Sequence, residues 1–276
     1  MILKKFFLVV FVFLFTTCKK DPSLFDITNL NNNQISVLGH GGMGISYRYP
    51  MNSMESLIEC LNLGTSGTEM DVCVTKDSIM VLCHSQNLED NTKCKGLIKE
   101  MNWSEIKNCN YGYPIFSKKV NIIEASAFFD AVENKNNLLF VFDCKIVLDD
   151  KLEYLNLFAE SLLKLIDKYN LDSNCFIESF NTSFLEILQS KNKDLHLFVN
   201  TQDVETGIDI SRTIHLFGLT LDTKNVTDQD IEMAHNNNLR VALFNTQTER
   251  ENIDAVLKNP DYIQTDKVDY LVNALK

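Results

Sequence analysis

Three apolar runs in the 276-residue sequence end in side chains that a buried core would not choose. Residues 67–85 read GTEMDVCVTKDSIMVLCHS, with Glu69 and Asp71 two apart in one run and His84 closing the next. His40 closes ISVLGH, and Asp143 with Lys145 closes LLFVFDCK. Carboxylates gathered in one place repel one another unless a cation neutralises them, and oxygen ligands select calcium or magnesium over zinc. Glu69, Asp71 and Asp143 are therefore candidate ligands of one divalent cation, Ca2+ or Mg2+. Two histidines beside such a cation, His40 and His84, supply what displacement at phosphorus needs. A neutral imidazole takes a proton from the attacking hydroxyl, and an imidazolium gives one to the leaving alkoxide. Lys145 can stabilise charge on the non-bridging oxygens. Each signal is common by itself; their weight comes from falling together at strand ends. His196, His215 and His235 sit at a strand edge, a strand start and a helix face, and are read as structural.

The elements that must position these residues follow a rhythm. Strand-like runs occur at 35–39, 68–74, 138–144, 175–180, 195–200, 215–221, 239–245 and 261–264. Between them lie amphipathic stretches: Met54, Leu57, Ile58 and Leu61 keep helical spacing, as do Leu152, Leu155, Ala159, Leu162, Leu163 and Ile166. Runs such as LLFVF are apolar on both faces, as strands covered on both sides must be. Eight β-then-α units over residues 35–276 predict an α/β fold, a (β/α)8 TIM barrel, with functional residues at the strand C-termini. A doubly wound open sheet is the alternative. The run at 79–83 follows the second strand too closely for a parallel crossover, so the two must form a hairpin. A turn centred on 76–77 places His84 opposite Glu69, and one centred on 77–78 places it opposite Asp71. Either register puts the three side chains on one face. Residues 85–137 are an insertion before the third barrel strand, expected to cap a pocket.

A net charge of -11 argues against a nucleic-acid partner and against anionic membrane surfaces. Lys4 and Lys5 precede the apolar stretch 6–15, too short to span a bilayer but suited to a signal peptide. Thr16-Thr17-Cys18 then looks like a bacterial lipoprotein signal in which Cys18 is lipidated; ordinary secretion is the alternative. Either way the protein is expected to be exported; as a lipoprotein it would be held in the cell envelope by Cys18, at the outer membrane or the periplasmic face, with 19–34 as a polar tether. Of the eight cysteines, Cys73, Cys83 and Cys144 lie in strand-like runs as small hydrophobes, and Cys94 with Cys109 is the expected disulfide pair.

The order GHGG, YPMNS before an amphipathic helix, GTEMDVCVTKDSIMVLCHS, FDCK and YIQTD resembles the glycerophosphodiester phosphodiesterases over residues 35–271. The resemblance implies a metal-assisted (β/α)8 enzyme that hydrolyses glycerophosphodiesters to glycerol 3-phosphate and an alcohol. It implies His40 and His84 as the acid/base pair, Glu69, Asp71 and Asp143 as metal ligands, and Lys145 on the phosphate. Asn52 would support the substrate site, and Phe244 with Asn245 would occupy its rim. Three positions depart from the family pattern. Gly41 stands where an arginine usually holds the phosphate, Met51 where a glutamate precedes Asn52, and Asp143 where the third ligand is usually a glutamate. Arg48 is a candidate substitute for the arginine. The amides around Gly41, Gly42 and Gly44 are another, as an anion-binding nest beside the substrate. A phospholipase C-like or lysophospholipid-cleaving enzyme, or a noncatalytic surface lipoprotein, are the alternative functions.

Overall fold

The computed structural model describes residues 29–45, 48–112 and 119–276. The leader with Cys18, the tether before Asn29, and Tyr113-Pro114 of the insertion lie outside the described residues. The elements run β1 (Ser36–Gly39), α1 (Met54–Asn62), β2 (Gly67–Val74), β3 (Met80–Leu82), α2 (Leu88–Asn91), α3 (Trp103–Ile106), β4 (Ile123–Glu124) and α4 (Ala125–Ala131). They continue with β5 (Leu139–Cys144), α5 (Leu152–Tyr169), β6 (Cys175–Ser179), α6 (Thr182–Lys191), β7 (Leu197–Asn200) and α7 (Val204–Ser211). The last are β8 (Gly218–Asp222), α8 (Asp228–Asn236), β9 (Arg240–Thr246), α9 (Glu249–Leu257), β10 (Tyr262–Thr265) and α10 (Val268–Ala274).

Eight of these strands, β1, β2 and β5 to β10, pair in parallel, and β1 closes on β2 through Leu38↔Gly67 and Gly39↔Thr68. The closure excludes the open sheet and makes a (β/α)8 barrel. Outward residues such as Met70, Val72, Phe140 and Phe142 join Leu57, Phe128, Phe129 and Leu162 in one core between strands and helices. The inward face changes character along each strand. Its lower layer is Leu38, Val141, Phe176, Phe198, Ala242 and Tyr262, packed as a separate apolar cluster. Two residues further on, the same face carries His40, Asp143, Glu178, Asn200, Phe244 and Gln264. The barrel is therefore plugged by hydrocarbon at one end and polar at the other.

The hairpin is present in a register that neither expectation gave. Its ladder pairs Val72↔Leu82, Cys73↔Val81 and Val74↔Met80. The loop has three residues, with Ser78 in the left-handed region at φ 66° and the Thr75 and Ile79 backbones bonded around it. An odd loop shifts the pairing by one, so Cys83 and not His84 lies beside Asp71, its N–H 3.0 Å from the Asp71 carbonyl, and the ladder does not give Glu69, Asp71 and His84 the single face that was expected. One hairpin face joins the main core through Val72, Val74, Met80 and Leu82. The other, with Cys73, Val81 and Cys83, is covered by Leu88, Ile98, Ile106, Cys109, Tyr111, Val120 and Ile122 of the insertion. That is the β2 face that carries Glu69 and Asp71, so the insertion raises the wall of the mouth there. A Cys94–Cys109 disulfide ties it together. The last residues assigned to the tether dock instead on the apolar end of the barrel. The Asn29 amide donates to the Pro260 carbonyl, and the Leu30 N–H donates to Asp261.

Candidate active site

His40 leaves the end of β1 and its Nδ1 lies 2.9 Å from Asp266 Oδ1, the residue that follows β10. Burial alone would lower the imidazole pKa, but the bond and charge of Asp266, with Asp71, outweigh it and hold it above the ordinary value. The turn that follows packs onto the start of α1 so closely that a Cβ on Gly42 would lie 2.6 Å from the Ser56 carbonyl carbon. Gly41, at φ +53°, has the Met51 side chain 2.7 Å from where its Cβ would be. The nest expected around Gly41 is not formed. The N–H of Gly41 donates to Glu69 Oε2, that of Met43 to Ser56, that of Gly44 to the His40 carbonyl and that of Ile45 to Asp266. These amides bind the protein's own groups, so the loop is a bracket that sets His40, Asp266 and Glu69 in place.

Carboxylate oxygens of Glu69, Asp71 and Asp143 lie within 4.8 Å of one another. The parallel register causes this, since it sets Asp71 directly beside Asp143. Lys145 Nζ lies 2.7 Å from Asp71 Oδ1 and also bonds Asp143. Burial works against its charge, but Asp143, Asp71 and Glu69 hold the ammonium pKa well above the usual range. Burial pushes the Glu69 carboxyl well up, and Asp71, Asp143 and Glu178 add to it. Burial would raise Asp71 too, but Lys145, His84 and His40 outweigh it and hold that carboxyl below its usual value. Glu69 Oε1 is buried with no hydrogen-bond partner among the described residues. Three clustered carboxylates, one with an orphaned oxygen, form an oxygen donor set that fits a hard divalent cation; the Lys145 ammonium, with no lone pair, is not part of it.

Asn52 corrects an expectation. It is 1% exposed, and its amide is spent on Asp71, donating to Oδ2 at 2.5 Å and accepting the backbone N–H at 2.9 Å. It fixes the Asp71 carboxylate from behind and is itself buried away from the mouth; asparagine suits its φ of 64° better than most residues. His84 is exposed beyond the end of β3, and its charge acts on Asp71. Phe244 is half-buried at the mouth end of β9. There the register with β10 slips by one residue and Asn245 takes φ 68°, its amide bonded to Asp222. Arg48 lies with its guanidinium 5.3 Å from the Tyr49 ring centroid.

Two residues escaped the sequence reading. Asp266 closes the YIQTD run, and its place after a strand was a usable signal. Glu178 lies in register beside Asp143, buried, accepting from Thr220 at 2.6 Å and from Gln264 at 3.0 Å. Burial, then Asp143, pushes its carboxyl up to about 8.

The model of the glycerophosphoryl diester phosphodiesterase family matches residues 43–270. The chain belongs to that family. This family member is 23% identical over 234 residues to a glycerophosphodiester phosphodiesterase of Bacillus altitudinis, a match covering 83% of this chain and 94% of the relative. Among solved structures it resembles a putative glycerophosphoryl diester phosphodiesterase of Silicibacter pomeroyi, with TM-score 0.77, 17% identity and coverage of 87% and 93% of the two chains. It also resembles a phosphodiesterase of Oleispira antarctica in complex with the product sn-glycerol-3-phosphate, with TM-score 0.75, 16% identity and coverage of 87% and 96%. At such identities the structural likeness speaks for the fold. Glu69, Asp71, His84, Asp143 and Lys145 fall inside the family match, and His40 three residues before it.

Proposed function

We propose that this family member hydrolyses glycerophosphodiesters to glycerol 3-phosphate and an alcohol. The observation that carries the reading is the mouth itself, where the His40–Asp266 pair stands beside three clustered carboxylates and Lys145. The Oleispira relative, of the same fold and in complex with sn-glycerol-3-phosphate, supports the same product.

His40, whose proton Asp266 stabilises, is the acid that protonates the leaving alkoxide. His84, exposed at the rim, takes the proton of the attacking water. Lys145 offsets charge on the phosphoryl oxygens. Glu69, Asp71 and Asp143 would hold a divalent cation, Ca2+ or Mg2+, which when bound supplies further neutralisation of the phosphoryl group. Asn52 and the Gly41 N–H keep Asp71 and Glu69 in their places. The protein works in the cell envelope, exported and held through lipid on Cys18, a reading supported by the apolar stretch and small residues of the leader.

The test is release of glycerol 3-phosphate from glycerophosphocholine and glycerophosphoethanolamine by residues 19–276. Release that a chelator abolishes and calcium or magnesium restores is the expected result. No release with either cation overturns the reading.

A further inference from the structure

Among the described residues, seven large apolar side chains are exposed: Ile45, Val147, Leu148, Leu152, Phe180, Met233 and Leu257. Two of them, Met233 and Leu257, sit on the outer helices α8 and α9. The other five stand on the loops or first helical turn that follow β1, β5 and β6, at the polar end of the barrel. Chance scatter of surface hydrophobics would not favour one end. Four of the five form one wall. Val147 lies two residues past Lys145, and Leu148 is 76% exposed and Leu152 66% exposed on the same connection. Phe180 joins them from the next loop, where Asn181 Nδ2 donates to the Val147 carbonyl at 3.2 Å.

We infer that this wall receives a hydrocarbon chain of the substrate, so that the enzyme takes monoacyl glycerophosphodiesters in preference to the fully deacylated compounds. The inference rests on the proposed phosphodiester hydrolysis and names its substrate class. A chain attached to the glycerol of a diester held at Lys145 has this wall as its adjacent apolar surface. The other apolar occupant would be a membrane surface, which the net charge of -11 disfavours where the lipids are anionic. In the reaction, water oxygen bonds to phosphorus and the bond from phosphorus to the head-group alcohol breaks. The alcohol leaves with one proton, and the acylglycerol keeps the phosphate.

Residues 19–276 would be assayed for choline release from glycerophosphocholine and from 1-hexanoyl-glycerophosphocholine below its aggregation concentration, with the required cation. Burying a methylene is worth about fourfold in binding, so a chain that contacts the wall through two or more should raise kcat/KM roughly tenfold or more. The double variant Leu148→Ser, Phe180→Ser should lose that preference and keep the glycerophosphocholine rate. The double variant Met233→Ser, Leu257→Ser should keep the preference. Leu148→Ser alone, with a thermal melt of each variant, separates a lost wall from a lost fold. Equal or slower turnover of the acylated monomer, with glycerophosphocholine still cleaved, overturns the inference and leaves the phosphodiesterase standing. A preference seen only with vesicles overturns it in favour of membrane docking. No choline from either substrate, with no glycerol 3-phosphate from any diester, overturns the phosphodiesterase reading and this inference with it.

Discussion

The four residues of β10 separate two histidine–aspartate pairs, one at each end of the barrel. Asp261 precedes the strand and lies 2.8 Å from His235 Nε2; Asp266 follows it and lies 2.9 Å from His40 Nδ1. The pairs are chemically alike and their surroundings are not. Asp261 also accepts the N–H groups of Leu30 and Val241, so each oxygen has a backbone donor, and the His235 side chain is 9% exposed. Asp266 gives Oδ1 to His40 and to the Ile45 N–H, while Oδ2 is buried with no hydrogen-bond partner among the described residues. The His40 side chain is 22% exposed and feels the charges of Asp71 and Lys145. A fully satisfied pair fastens the chain's entry to the barrel. A pair with spare capacity, open to the mouth, can move a proton.

Substitutions at the two ends should separate these roles. His40→Ala should lower kcat/KM for glycerophosphocholine by about 10²–10⁴-fold, the usual worth of a general acid, with the melting temperature nearly unchanged. An active His40→Ala enzyme would break the comparison at once. Asp261→Ala leaves His235 and two backbone donors without a buried acceptor and should cost roughly 3–5 kcal/mol of stability by denaturant titration. The folded fraction should keep its kcat/KM, and a catalytic defect there would erase the distinction between the ends.

The smaller effect is the sharper one. Asp266→Asn takes the charge out of the hydrogen bond to His40 and should lower kcat/KM about tenfold to a hundredfold near neutral pH. Its sign in pH is fixed. Asp266 favours the imidazolium, so His40 keeps its proton above the ordinary value, and activity that needs that proton is lost as pH rises through the raised value. Without the aspartate charge, the alkaline limb of the kcat/KM profile should move to lower pH. An unmoved limb would mean that Asp266, like Asp261, only holds structure.

Much of the fold was legible because its signals are local. Strand runs such as 138–144 and 175–180 became β5 and β6 within a residue or two, since apolar runs bounded by polar residues report burial on both faces. The acids were legible for a related reason. Glu69, Asp71, Asp143 and Lys145 interrupt those runs, and parallel pairing brings strand ends to one level. His84 was harder, because its register depended on whether the hairpin loop held an even or an odd number of residues. One left-handed Ser78 decided that. The nest around Gly41 failed because a glycine count shows that amides can approach an anion, not which acceptors they already have.

The sequence by itself determined the alternation of strands and helices and the layer at which each inward face turns from apolar to polar. Periodicity and side-chain type are properties of short stretches. Only the tertiary structure decided that His40 meets Asp266 across 226 residues, that Glu178 shares the acids' field, and that Asn52 stands behind Asp71. It also decided that the exposed apolar residues gather at the mouth. Those pairings follow from closing the barrel, which sets the first strand against the last, and no local pattern carries the distance between them.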